Sequence, residues 1–216
     1  MIPKNTKMTT EKEHVKHKTG IMGGTFDPIH TGHLILGERA YEQFGLDEVL
    51  FMPSGNPPHK RDRSGGASDE ERVRMVREAI RDNAHFKLSL DEMHEMGYTY
   101  TSITLGRLTQ ANPGTRYYFI MGADSLFSFE SWHEPEVISR LCVIVAAVRD
   151  HVPAEKMQDQ IRHLNEKYGA DIRLLHSPNI DISSHQIREW IREGNSCRYY
   201  LHEGTRKYIA ERKLYC

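Results

Sequence analysis

The sequence predicts an α/β protein built on a doubly wound, mostly parallel sheet, Rossmann-like in plan, with a small helical part at its C-terminal end. Three observations point there. Strand-like and helix-like segments alternate along the chain. The run from Leu141 to Val148 is apolar throughout, as a strand covered on both faces requires. The polar, motif-bearing segments follow strands, and sheets of this kind bind ligands beyond the carboxyl ends of their strands.

In order, Gly20 to Met22 ends a first strand. Thr31 to Phe44 spaces Leu34, Leu36, Ala40, Tyr41 and Phe44 on or near one helical face, and Gly45 closes the helix. Val49 to Met52 is a short buried strand stopped by Pro53, and a polar loop runs from Ser54 to Ala67. Ser68 with Glu71 three residues later forms a capping box that opens the next helix, whose first turn carries Asp69, Glu70, Glu71 and Arg72 as solvated charge. His85 to Leu90 alternates as a strand does. Thr101 to Gln110 is helical and ends at Asn112-Pro113-Gly114. Tyr117 to Met121 and Leu141 to Val148 are strands. Pro153 to Tyr168 is an exposed helix capped by Gly169, and Ile172 to Leu175 is the last strand. Two helices close the chain, Ser183 to Glu193 and Glu203 to Arg212.

The 216 residues suit one α/β domain over residues 19–216, with a helical C-terminal part from about 183. Residues 1–18 are polar, lack the apolar core of a secretion signal, and are expected to form a disordered extension in which Met8 offers an alternative start. Hydrophobic residues at 38% and charged residues at 27% are those of a soluble globular chain. A net charge of −1 argues against a general nucleic-acid binder, and no apolar run is long enough to span a membrane. Cys142, Cys197 and Cys216 are odd in number and widely spaced, which suits reduced thiols in a cytoplasmic protein and not a disulfide framework or zinc site.

Residues 20–33 carry the most chemistry: Gly-Ile-Met-Gly-Gly-Thr-Phe-Asp-Pro-Ile-His-Thr-Gly-His. Gly23 and Gly24 let backbone approach a ligand closely. His30 and His33, three apart, share a face at a helix start, where free N–H groups and the macrodipole favour anions. These parts suit a nucleoside triphosphate site. No Gly-Lys-Ser/Thr follows, so this is not a Walker loop, and the glycine spacing is not GxGxxG.

A second constellation is Asn179-Ile180-Asp181-Ile182-Ser183-Ser184-His185-Gln186-Ile187-Arg188. Ile180 and Ile182 anchor it, Ser183 or Ser184 caps the next helix, and Arg188 lies about one turn further on, a fixed cationic fork suited to phosphate oxygens.

GGTFDPIHTGH resembles the signature of the HxGH nucleotidyltransferases, and ISSHQIR resembles the second signature of that superfamily, ISxTxxR or ISSxxxR. The resemblance implies the nucleotidyltransferase fold and nucleotidyl transfer, in which a phosphate of the acceptor attacks the α-phosphorus of ATP and pyrophosphate leaves. It implies that His30, His33 and Arg188 stabilise the transferring phosphates, and that Gly23, Gly24, Thr25, Phe26, Ser183 and Ser184 bind ATP with them. No carboxylate cage for metal is visible, so Mg²⁺ is expected to arrive with ATP, and no protein metal ligand is assigned. His185 is assigned no chemistry.

Three further segments resemble the nicotinate-nucleotide adenylyltransferase branch. Asn56-Pro57-Pro58-His59-Lys60 is similar to its NPPHK loop, so Asn56, His59 and Lys60 are implied to bind the acceptor. Tyr100-Thr101-Ser102-Ile103-Thr104-Leu105 resembles a helix start whose Thr, here Thr101, helps to hold the nicotinate carboxylate. Ile103 stands where that branch usually carries Asp. Gly122-Ala123-Asp124-Ser125-Leu126 with Phe129 and Trp132 resembles GADSLxxFxxW, implying Gly122 and Asp124 at the ATP and Trp132 stacked on the nicotinate ring. The expected substrates are ATP and nicotinate mononucleotide, with neither nucleic acid nor membrane as partner. A homodimer is compatible with the chain, although the sequence does not fix the oligomeric state. Two alternatives stay open: an adenylyltransferase for another small phosphate acceptor such as phosphopantetheine, and a non-catalytic nucleotide-binding module of the same fold. A fragment related to class I aminoacyl-tRNA synthetases ranks last, because no KMSKS-like segment is present.

Overall fold

The structure, a computed structural model, describes residues 15–55, 66–93, 98–147 and 153–216. Six strands form one sheet: β1 (His17–Gly24), β2 (Glu48–Pro53), β3 (Phe86–Leu88), β4 (Thr115–Gly122), β5 (Cys142–Ala147) and β6 (Asp171–Leu175). Their spatial order is β3-β2-β1-β4-β5-β6, and every pairing is parallel. The apolar run at β5 is buried at every position, as its composition requires.

Side chains alternate between two cores, one on each face of the sheet. Met22, Val49, Phe51, Tyr118, Ile120, Val143 and Val145 point to one. On that side lie α1 (Thr31–Phe44) and α2 (Asp69–Ile80). Ile21, Met52, Tyr117, Phe119, Met121, Ile144 and Ala146 point to the other. There α3 (Thr101–Ala111), α4 (Ala123–Phe127), α5 (Pro135–Leu141) and α6 (Ala154–Tyr168) cover the sheet. The chain then returns to the first face. α7 (Ser184–Arg192) and α8 (Glu203–Arg212) contribute Ile187, Ile209 and the following Tyr215 to the same core as α1 and α2. The C-terminal helices are thus layered onto the domain and share its core.

Local chemistry explains most boundaries. Gly45 (φ 58°) and Gly169 (φ 62°) end α1 and α6 in the left-handed conformation that glycine adopts without strain. The Ser68 hydroxyl accepts from the Glu71 N–H at 3.3 Å, and Glu71 Oε2 accepts from the Ser68 N–H at 2.8 Å, closing the capping box that opens α2.

Several expectations are corrected. β1 begins at His17, inside the segment read as an extension. The polar start is held because His17 and Lys18 pair with β4, the Lys18 N–H donates to Asp47 Oδ2 at 2.7 Å, and the His17 ring lies 3.3 Å from Asp47. β3 is confined to Phe86–Leu88, shorter than the alternation suggests. Between β4 and β5 the chain forms α4, a single 3-10 turn at Phe129–Ser131, and α5, which Pro135 opens at its first turn. These elements are too short to show a helical period in sequence.

All three cysteines are free. Cys142 and Cys197 are buried and Cys216 is exposed. Burial pushes the Cys142 thiol up to about 12 and raises that of Cys197. Because the thiolate is the reactive form and both groups are protonated at pH 8, titration of the native protein with a thiol reagent should show fast reaction of Cys216 alone. The two buried cysteines should react only after denaturation.

Candidate active site

The site forms where β1 and β4 lie side by side but send their chains to opposite faces. A cavity of about 380 Å³ opens beyond their carboxyl ends. Gly23, Gly24 and Thr25 line it from β1, Gly122 and Asp124 from β4 and α4, and His33 from α1. Across it stand Thr101 at the start of α3 and Trp132, whose ring packs edge-on against Phe119 at 6.0 Å. All eight of these sequence-predicted residues face one space.

His30 and His33 open α1. His30 is buried and lines a small cleft with Gly32, His33, Ile180 and Ile182. The two imidazoles lie 3.7 Å apart between centroids. The His30 backbone N–H donates to His33 Nδ1 at 3.2 Å. That bond makes Nδ1 the acceptor of the neutral ring, so its proton sits on Nε2, the form that donates. Phe26 is expected at ATP but is only 2% exposed. Its ring instead packs edge-on beneath His33 at 5.0 Å and near Phe51 at 6.2 Å. Its φ of 52° is left-handed, a conformation that a bulky residue keeps only when its surroundings impose it.

The second motif meets the first directly. Ser183 caps α7, accepting from the Gln186 N–H at 3.1 Å. The Ser184 hydroxyl does not point to open space. It donates to the Pro28 carbonyl at 2.9 Å. Arg188 Nη1 donates to the Asp27 carbonyl at 2.7 Å. Thr31, at the start of α1, donates its N–H and hydroxyl to the Tyr200 carbonyl at 2.9 and 2.6 Å. The helix starts α1 and α7, with their cationic and N–H donors, are therefore braced on one loop. Ser183, Ser184 and Arg188 do not line the large cavity. They stand on the α1 side of it. His185 is exposed and pairs with Glu189 at 3.3 Å. Asn56, His59 and Lys60 lie outside the described residues.

On the far wall of the cavity, Thr101 occupies the first turn of α3, with Tyr100 as its N-cap. Tyr100 stacks on His133 at 4.3 Å, and His133 Nδ1 lies 3.1 Å from Ser102 Oγ. Ile103 is 44% exposed and does not line the cavity. Among the described residues, no group of three or more His, Cys, Asp or Glu side chains could hold a metal ion.

Comparison with known proteins places this geometry in a family. The model of cytidylyltransferase-like proteins matches residues 21–190. A probable nicotinate-nucleotide adenylyltransferase of Lachnoclostridium phytofermentans is 48% identical over 198 residues, covering 92% of this chain and 98% of that protein. The chain belongs to the nicotinate-nucleotide adenylyltransferase family. A second member, from Clostridium kluyveri, is 39% identical over 202 residues, covering 92% and 98% of the two chains. The fold is also that of a solved Plasmodium falciparum nicotinic acid mononucleotide adenylyltransferase complexed with NaAD. That likeness has a TM-score of 0.75 at 22% identity, over 92% of this chain and 97% of that one.

Sequence reasoning missed the groups that hold the family's signature loop in place. Arg72 is read from sequence as solvated charge, yet it is fully buried. Its Nη1 donates to the Thr25 carbonyl at 2.5 Å. Its Nη2 donates to the Ser54 carbonyl at 2.9 Å and to Asp69 Oδ1 at 2.6 Å. It thereby ties the loop after β1 to the loop after β2. A signal was present, because Arg72 shares the helical face of Met75, Val76 and Ala79. Tyr215, which bonds to Asp27, carried no comparable signal.

Two outcomes follow from this geometry. A Cβ at Gly32 would lie 3.0 Å from His30 Nδ1 and 3.1 Å from Cε1. Gly32→Ala should therefore displace the His30 ring and lower kcat by roughly ten- to a hundredfold, read as pyrophosphate release, with little change in Tm. Arg72→Met leaves the Thr25 and Ser54 carbonyls without their donor, and should cost about 3 kcal/mol in urea unfolding.

Proposed function

We propose that this chain transfers the adenylyl group of ATP to nicotinate mononucleotide, giving deamido-NAD and pyrophosphate, a step of NAD biosynthesis. The observation that carries the reading is the bracing of two phosphate-directed helix starts, α1 and α7, on one loop beside a cavity. The far wall of that cavity presents a third helix start and an indole.

The chemistry follows from the groups present. A phosphate oxygen of the acceptor attacks the α-phosphorus of ATP. The new P–O bond forms as the bond to the β-phosphate bridging oxygen breaks, and pyrophosphate leaves with that electron pair. The attacking phosphate is already anionic, so no general base is required. Charge grows on the α-phosphate and the leaving oxygens. Fixed donors there lower the barrier without reorganising, and the donors proposed are His33 Nε2–H, His30 and Arg188. Gly23, Gly24, Thr25, Gly122 and Asp124 line the space proposed for the nucleotides. The N-terminal end of α3 at Thr101 suits the nicotinate carboxylate, and Trp132 suits the flat ring. Asn56, His59 and Lys60 are proposed to meet the acceptor phosphate.

A divalent ion accompanies ATP in this reading, and Mg²⁺ is the ion proposed. The ion is proposed to be carried on phosphate oxygens and water, with no protein ligand assigned. When bound, it offsets phosphate charge. The reading is of a single nucleotidyltransferase domain acting in the cytoplasm on small molecules. Among the described residues, no helix is long and apolar enough to cross a membrane.

The decisive assay follows pyrophosphate release from ATP with nicotinate mononucleotide, nicotinamide mononucleotide or phosphopantetheine. Fast release is expected with the first. Release with phosphopantetheine alone would move the acceptor assignment, and folded protein that binds ATP without any release would support a non-catalytic module. His33→Ala should lower kcat by about a hundredfold or more. Trp132→Ala should raise KM for the acceptor by about tenfold with a smaller change in kcat.

A further inference from the structure

The carboxylate of Asp27 sits at the centre of the braced loop, between two competing claims. Oδ1 accepts a hydrogen bond from the Tyr215 hydroxyl at 2.6 Å and another from the Ala67 N–H at 3.0 Å. Oδ2 stands 3.9 Å from Arg188 Nη1, a long ion pair, while that same nitrogen donates to the Asp27 backbone carbonyl at 2.7 Å. Both side chains are largely buried, at 21% and 16% exposure, so their attraction is not screened away. Released from its other partners, a carboxylate at this distance would close on the guanidinium in the paired geometry that the two groups favour. Arg188 would then spend its charge inside the protein.

Tyr215 engages this carboxylate through its hydroxyl. It is buried in the core shared by α1, α2, α7 and α8, and its hydroxyl crosses from the end of the chain to a residue 188 positions earlier. Its φ of 66° is left-handed, a conformation a tyrosine holds only against a local cost. Burial and the bond to Asp27 raise the phenol well above its ordinary value, so it stays protonated and donates throughout the working range of pH.

We propose that Tyr215 is a positioning residue for nucleotidyl transfer: its hydroxyl, with the Ala67 N–H, holds the Asp27 carboxylate back from Arg188 and so keeps that guanidinium available to the ATP phosphates. The inference rests on the proposed role of Arg188 and extends it to a residue outside both signature motifs.

The test compares Tyr215→Phe, Asp27→Asn and the double variant with the unaltered chain. Tyr215→Phe removes one oxygen and keeps the ring that fills the core. It should lower kcat/KM for ATP by about tenfold, the loss expected when a hydrogen bond to a charged group is deleted. The KM for the acceptor should stay within about twofold, since Thr101 and Trp132 are untouched. Adding Asp27→Asn to Tyr215→Phe removes the charge that captures Arg188, keeps the side-chain shape and should restore most of the lost kcat/KM. A merely structural tyrosine predicts the opposite, with the double variant no better than the single. Unchanged kinetics in Tyr215→Phe would overturn the proposal, as would a loss that tracks Tm and is not relieved by Asp27→Asn. Calorimetric binding of a non-hydrolysable ATP analogue separates this outcome from failure of the proposed reaction. An unaltered chain without turnover would sink the function, whereas equal analogue affinity in the unaltered chain and Tyr215→Phe would sink the role of Tyr215.

Discussion

Everything at this site depends on one topological constraint, the divergence of two neighbouring strands. β1 feeds α1 on one face of the sheet and β4 feeds α4 on the other, so neither of these two connections covers the gap beyond their carboxyl ends. That gap is the cavity. Because the strands are parallel, helix starts cluster at the same edge, and each brings unpaired N–H groups and a positive dipole end. α1, α3 and α7 all begin there. Three anionic groups, a triphosphate, an acceptor phosphate and a ring carboxylate, match such an edge without a large excess of cationic side chains. A chain of net charge −1 can thus still build a phosphate site.

A site made of loops and helix starts needs bracing, and the bracing here is polar and buried. Arg72 holds the carbonyls of Thr25 and Ser54, and the Ser54 N–H bonds to the Gly24 carbonyl at 2.9 Å. Ser184 holds Pro28, Arg188 holds Asp27, and Tyr200 holds Thr31. These bonds come from residues distant in sequence, so the loop between β1 and α1 is fixed by the whole domain and not by its own composition. Removing the Arg72 guanidinium or the Ser184 hydroxyl leaves a part-buried carbonyl without that donor, which costs more than the bond itself contributes. The left-handed Phe26 beneath His33 belongs to the same device: the surrounding bonds over-determine a backbone that would not adopt it alone.

The parts of this structure that were legible in sequence are those governed by local rules. The bounds of α1 and α8 and the capping box at Ser68 follow from period, cap and glycine, and they are found where those rules place them. The motif residues around the cavity were legible because glycines, paired histidines and a capped arginine have few bland explanations together. What stayed hidden is long-range. Asp69 to Arg72 carries the charge of a solvated first turn; the helical face that Arg72 shares with Met75 and Val76 marks it as inward, but the loop carbonyls it reaches are not legible from that face. The Ser184 hydroxyl can cap a helix or reach another loop, and sequence does not choose between them. Nor does sequence separate two adjacent tyrosines: Tyr199 is 83% exposed, whereas the Tyr200 ring packs at a tilt against Trp190 at 4.8 Å and its carbonyl caps α1.

The position of Ile103 bears on how the acceptor is chosen. Its departure from the usual Asp would matter if that side chain faced the nicotinate ring. It lies on the solvent side of α3, one turn from Tyr100 and away from the cavity lining. The start of α3 at Thr101, by contrast, does line the cavity. A helix terminus contributes up to about 2 kcal/mol toward a partly buried anion, equivalent to roughly thirtyfold. The N–H donors at that end add directed hydrogen bonds that favour a carboxylate's two acceptor oxygens over an amide, which presents one acceptor and two donors. Such a preference can be built from backbone donors alone, without a side chain at position 103.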